Sequence, residues 1–189
     1  MLKKSYRVLL LPLLLWTVTG CGSKEYYTLG DTSNVISTES YSKTITVKQV
    51  DIPKYLKDTD IVKQVTPYKV ELIKDAIWLT PMPKHLTDVL ISYFQKSLNN
   101  PNVYLYPWES ASRDSKRVSL KVKKFIAYNN TVILEASYQI KNMRTKEQRT
   151  KLFSTRVPTS SETEKIIESM EKAYFQLAEA IKSELVKWI

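Results

Sequence analysis

Apolar positions along the chain repeat with two periods, and each period predicts a different element. From Pro83 to Leu98 the apolar residues fall at Leu86, Val89, Leu90, Tyr93, Phe94 and Leu98. That three-and-four spacing predicts an amphipathic helix. Thr80-Pro81 and Pro83 mark its start and Asn99-Asn100-Pro101 its stop. A second, longer stripe runs through Ile166, Ile167, Met170, Tyr174, Leu177, Ile181, Leu185 and Trp188, while Glu164, Glu168, Lys172, Glu179 and Lys187 lie elsewhere. Ser160 or Ser161 can cap this helix, with Glu164 three residues after Ser161 completing a capping box. A stripe of this width predicts packing into a core.

The other period is two. Val118, Leu120 and Val122 alternate with Ser119, Lys121 and Lys123, and Val132, Leu134, Ala136, Tyr138 and Ile140 alternate again after Asn129-Asn130. These predict paired strands with one buried face, joined by a tight hairpin. Residues 151–157 add a third strand after a polar loop. Residues 44–50 form a β-branched strand that ends at Ile52-Pro53, and 26–29, 61–65, 68–73 and 103–106 are shorter extended candidates. The expected architecture is a two-layer α+β domain over 44–189, with a mostly antiparallel sheet of five or six strands and two amphipathic helices packed on it. Ser- and Thr-rich residues 31–43 read as a loop, so 21–43 is expected to be a tether.

The first twenty residues belong to neither pattern. Met1 to Arg7 is basic, and Val8 to Trp16 is apolar apart from Pro12. This is the n-region and h-region of an export signal, too short to span a bilayer, which takes about 20 apolar residues. Val18-Thr19-Gly20-Cys21 then forms a lipobox, so residues 1–20 are expected to be cleaved and Cys21 acylated. The plainer alternatives are a buried free cysteine or half of a disulfide. Cys21 is the only cysteine, so no intramolecular disulfide is possible. Gly22 and Ser23 stand where an aspartate beside the cysteine would retain a lipoprotein at the inner membrane, which points to a periplasm-facing protein anchored in the outer membrane. Loss of Lys3, Lys4 and Arg7 with no acid lowers the formal charge from +10 to +7. An exported protein of that charge is expected to meet anionic lipid or an acidic protein surface rather than nucleic acid, or simply to solvate its strand faces.

Candidate chemistry is sparse. The three glycines are Gly20, Gly22 and Gly30, so 44–189 can hold neither a P-loop nor a dinucleotide fingerprint. His85 is the single histidine, which excludes a Cys/His zinc cluster; in the first turn of a helix it reads as a solvated residue. No Gly-x-Ser-x-Gly elbow is present. Glu162 with Glu164, and Glu168 with Glu171, read as solvated carboxylates, and Asn129-Asn130-Thr131 as a turn. No catalytic residue, cofactor or metal is expected. Lys121, Lys123, Arg144 and Arg149, with Lys116, Arg117, Lys124, Lys146 and Lys151, form a candidate basic patch for lipid phosphates or an acidic partner. Its plainer role is to guard a sheet edge.

Several short motifs occur in a particular order: the lipobox at Cys21, Tyr26-Tyr27-Thr28-Leu29, Ile52-Pro53-Lys54-Tyr55-Leu56, the strand at 68–73, and Ala76-Ile77-Trp78-Leu79-Thr80-Pro81 leading into the first helix. Their order and spacing resemble the auxiliary lipoproteins of ABC-type and MCE-type lipid transport systems, the PqiC-like family. Two features depart from that pattern: Lys63 and Lys69 stand where arginine is often found, and Met82-Pro83 follows the tryptophan segment. The resemblance implies a non-enzymatic lipoprotein that docks an ABC or MCE-type transport complex at the outer membrane, with ring-forming copies as one arrangement. Tyr55, Leu56 and Trp78 are then candidate partner contacts, although core packing is the expected role of Trp78. A structural or pilot lipoprotein that assists assembly of an outer-membrane complex is the alternative.

Overall fold

The structure is a computed structural model in which residues 23–37, 39–107 and 114–188 are described. The export signal and Cys21 lie outside the described residues. The chain order is β1 (Glu25–Tyr27), β2 (Ile45–Val47), a 3-10 turn (Lys54–Leu56), β3 (Asp60–Thr66), β4 (Lys69–Trp78), α1 (Met82–Ser97), β5 (Val103–Leu105), β6 (Lys116–Tyr128), β7 (Thr131–Asn142), β8 (Gln148–Pro158) and α2 (Thr163–Lys187).

All strands join one eight-stranded sheet, not the five or six expected. β6 is its spine. One edge pairs along its whole length with β7, which carries β8. The other edge is shared: β2 runs parallel to its start, Ile45 opposite Lys116, and β3 parallel to its end, Lys63 opposite Ala127. β5 flanks β2, and β4 and β1 flank β3. Four pairings are thus parallel and three antiparallel, so "mostly antiparallel" holds only for the long strands. Each extended segment named from the sequence is a strand. Periodicity does not reveal that three-residue strands are held by partners far along the chain.

Two local devices keep the β6–β7 hairpin in phase. Lys123 is an extra residue between Val122, opposite Ala136, and Lys124, opposite Glu135. This bulge returns Phe125 to the face that carries Val122 and Leu134. Asn129 and Asn130 both have left-handed backbone (φ 47° and 53°), the requirement of a two-residue type I′ turn. Both helices cover this same apolar face, where Phe125, Leu134, Ile140, Phe94, Tyr174 and Leu177 are buried. α2 begins later than expected, with Glu162 as N-cap and no side-chain cap, so the Ser161–Glu164 capping box does not form. The Thr159 N–H is tied back to the Asn130 carbonyl, and Ser160 and Ser161 are used up in the turn from strand to helix.

The segment expected to be a tether is docked over residues 25–32. β1 pairs in parallel with the last residues of β4, Tyr27 opposite Trp78. Leu29 and Thr32 are buried. His85 is buried rather than solvated; its Nε2 lies 2.6 Å from the Leu29 carbonyl oxygen, to which it donates. Glu171 of α2, expected to be solvated, accepts the N–H groups of Gly30 and Asp31. Lys96 donates to the Thr32 carbonyl at 2.7 Å. Gly30 has φ +92°, and a Cβ there would lie 2.2 Å from Val89 Cγ2. Only glycine fits that close approach to α1.

A second lock closes the other end of α2. Lys116 is buried, and its Nζ donates to the Leu185 carbonyl at 2.9 Å, satisfying one of the carbonyls a helix C-terminus leaves free. The ammonium lies 5.2 Å from the Tyr41 ring centre and 5.6 Å from that of Trp188. Burial, with Lys43 and Arg149 nearby, pulls its pKa down to about 8. Burial also pushes the Tyr41 hydroxyl up to about 12.

Two outcomes follow from these locks. Gly30→Ala combines a disfavoured φ with an overlap on Val89, and urea unfolding is expected to show a loss of about 2–4 kcal/mol. In a cycle with Val89→Ala, part of that loss returns as a coupling of about 1 kcal/mol or more; strict additivity would contradict the steric account. Lys116 holds its proton less tightly in the folded chain than in the unfolded one, whose value is 10.5. The folded chain therefore releases that proton first as pH rises from 8 towards 10.5, and wild type gains stability over that window relative to Lys116→Met. Melting temperatures of both proteins at about pH 7.5 and about pH 9.5 measure this, and a constant difference between them would contradict it.

Candidate docking and anchoring surfaces

The aromatic segment picked out as a partner contact turns inward. Leu56 and Trp78 are each only 2% exposed. The Tyr55 hydroxyl accepts the Phe125 N–H at 3.1 Å on the edge of β6, and burial raises its pKa. The 3-10 turn that carries Tyr55 and Leu56 fills the stretch of β6 edge left open between β2 and β3. Trp78 ends β4 where β1 pairs with it. Leu56 and Trp78 belong to the core and half-buried Tyr55 closes the sheet, which corrects Leu56 and Tyr55 as an exposed contact surface and agrees with core packing of Trp78.

The basic residues divide between surfaces and do not form one patch. On the helix-covered side, Arg149 stacks 4.7 Å from the Trp188 ring centre, beside buried Lys116, and Lys151 pairs with Glu184 at 2.7 Å. On the opposite side, Arg117 stacks on the Tyr106 ring at 3.7 Å and Lys121 pairs with Asp51 at 3.4 Å. Lys123 is exposed at the bulge, and Arg144 lies in the β7–β8 turn, 3.7 Å from Asp114. Alternation places Arg149 and Lys121 on opposite faces, because Arg149 is opposite Ile140 and Lys121 opposite Ser137. The sequence lists them close together; the pleat separates them.

No catalytic grouping emerges among the described residues. None of their His, Cys, Asp and Glu side chains gather in threes that could hold a metal. The one histidine is occupied by backbone. A partly buried polar group joins the helices: half-exposed Glu179 accepts the Tyr93 hydroxyl at 2.7 Å and pairs with buried Lys182 at 2.8 Å. Burial and then the Glu179 carboxylate push the Tyr93 hydroxyl well above its ordinary range. This tie between α1 and α2 is a packing device, and nothing in the sequence pattern pairs the two residues.

Exposed apolar side chains concentrate on the β3–β4 hairpin. Tyr68 at its tip is 98% exposed, and Leu72 and Val70 on β4 are 62% and 45% exposed. Val70 and Leu72 alternate with Lys69 and Glu71 and so share a face. Tyr26 on the neighbouring β1 is exposed as well. The period-two pattern at 68–73 gives a strand with an apolar face; it does not say that the face is left uncovered.

The profile of the family described as ABC-type transport auxiliary lipoprotein component matches residues 27–182. No curated protein matches the sequence. Among solved structures, the chain is similar to an uncharacterized protein at 17% identity and a TM-score of 0.71, covering 86% of this chain and 99% of that one. It is also similar to a protein from Xanthomonas campestris at 16% identity and a TM-score of 0.69, covering 87% of this chain and all of that one. At such identities these likenesses speak for the fold. The profile runs from the last residue of β1 well into α2, across the first lock and the hairpin, and on that match the chain belongs to the ABC-type transport auxiliary lipoprotein family.

Proposed function

We propose that the protein is a non-enzymatic lipoprotein of the outer membrane, cleaved after Gly20, acylated on Cys21 and facing the periplasm. There it acts as the auxiliary, docking component of an ABC/MCE-type intermembrane lipid transport system, and several copies assemble in a ring. The observation that carries this reading is the junction of anchor and fold. β1 begins at Glu25, four residues after Cys21, and the segment that follows is locked between α1 and α2. A domain built into its own anchor works at the membrane surface and not at a distance from it. Membership in a family of auxiliary transport lipoproteins supports a holding role.

Affinity capture of the tagged lipoprotein from solubilised membranes tests the partner. It is expected to recover an MCE protein, a permease or an ATPase; recovery of an outer-membrane channel alone would favour the pilot reading. Fractionation tests the anchor: Cys21→Ser is expected to move the protein from the outer-membrane fraction to the soluble one, and a variant that stays in the membrane would contradict acylation at that residue.

A further inference from the structure

We infer that the β3–β4 hairpin is a second membrane contact, with Tyr68, Val70 and Leu72 lodged in the interface of the same bilayer that holds the acyl chains of Cys21. The inference rests on the proposed anchoring and adds an orientation to it. β1 runs parallel to β4, with Glu25 opposite Ala76 and Tyr27 opposite Trp78. Residues before Glu25 therefore lead back along β4 towards its start at Lys69. Cys21 is four residues upstream, no more than about 14 Å of extended chain from Glu25. β3 runs from Asp60, opposite Ile77, to Thr66, opposite Lys69, so the hairpin extends about 20 Å from the level of Ile77. The chain before Glu25 therefore leaves β1 on the side to which the hairpin projects, and Leu72, opposite Val62 and two β3 residues from the Asp60–Ile77 pair, lies within the span of those four residues.

The chemistry of the hairpin suits a bilayer interface. Tyr68 presents a ring and a hydroxyl at the tip, the kind of side chain that settles at headgroup level. Leu72 and Val70 extend the apolar face behind it, and Tyr26 continues it on β1. Charges beside them cancel: Lys69 pairs with Glu71, and Lys74 lies 3.9 Å from Asp75. Contact is therefore made by apolar insertion, without need of anionic lipid. Between Lys69 and Lys74, β4 pairs with β3 on one edge, and among the described residues nothing pairs with the other. An interfacial layer of headgroups and water can satisfy such an edge, whereas a hydrocarbon core cannot. The hairpin accordingly lies at the interface and does not cross.

Acylated Cys21 leaves no free thiol, because the chain has no other cysteine. An environment-sensitive fluorophore on Leu72→Cys of the native lipoprotein, reconstituted into phosphatidylcholine vesicles, therefore reports one position. The same probe on Glu147→Cys, in the turn before β8, is the control. The expected result is blue-shifted emission at position 72 that is quenched by nitroxide-bearing lipid, with no change at position 147, and the same shift when anionic lipid is added. Flotation with position 72 as solvated as position 147 would overturn the hairpin contact and leave anchoring intact. Failure of the lipoprotein to float would overturn the anchoring reading and the inference with it. A shielded position 72 that lipid nitroxides do not quench would overturn the membrane contact and assign the hairpin to a second copy of this chain instead.

Discussion

A backbone segment threaded between two helices and a sheet edge must find a partner for every N–H and C=O that it buries. Residues 27–32 meet that requirement through β4, His85, Glu171 and Lys96, which belong to three different elements. Two of the bonds end on the Glu171 carboxylate and one comes from the Lys96 ammonium, so they are charge-assisted; those at Gly30 and Thr32 are partly buried and that at Asp31 is exposed. The close pass of Gly30 over Val89 makes the arrangement specific to one path. Residues 25–32 are in this way part of the fold and not a slack tether.

The same device recurs at the far end of the chain. Lys116 opens β6, and its ammonium satisfies a carbonyl at the end of α2 while Tyr41 and Trp188 shield it. The cation is held at a cost, visible in its lowered pKa, and the hydrogen bond and the two rings offset it. Between the two locks, α1 and α2 are tied by Tyr93, Glu179 and Lys182. Long polar side chains thus fasten elements that the apolar core alone would only bring together.

That explains what the sequence could reveal. Periods of two and 3.6 exposed the β6–β7 hairpin, its Asn-Asn turn and both helices, because those features depend on neighbours in the chain. They could not expose the parallel short strands, since Ile45 meets Lys116 and Val103 only in space. Nor could they expose the locks: His85, Glu171 and Lys116 reach backbone groups 56, 141 and 69 residues away. A histidine in a first turn, a glutamate on a polar helix face and a lysine in a basic run all look like solvent-facing residues. The opposite error befell Leu56, which drew notice as an interface residue and is buried in the core. Cys21, the most specific functional signal in the chain, rests on sequence alone, because it lies outside the described residues.

Residues 25–32 are held in the fold by β4, α1 and α2, and amide hydrogen exchange on the intact protein in detergent tests this most directly. The Gly30 and Asp31 amides are predicted to exchange slowly, within the range of the buried face of α2 around Leu177, and Glu171→Ala is predicted to release those two amides while Leu177 stays protected. Exchange of Gly30 and Asp31 at the rate of exposed Ile36 and Ser37 would contradict the account.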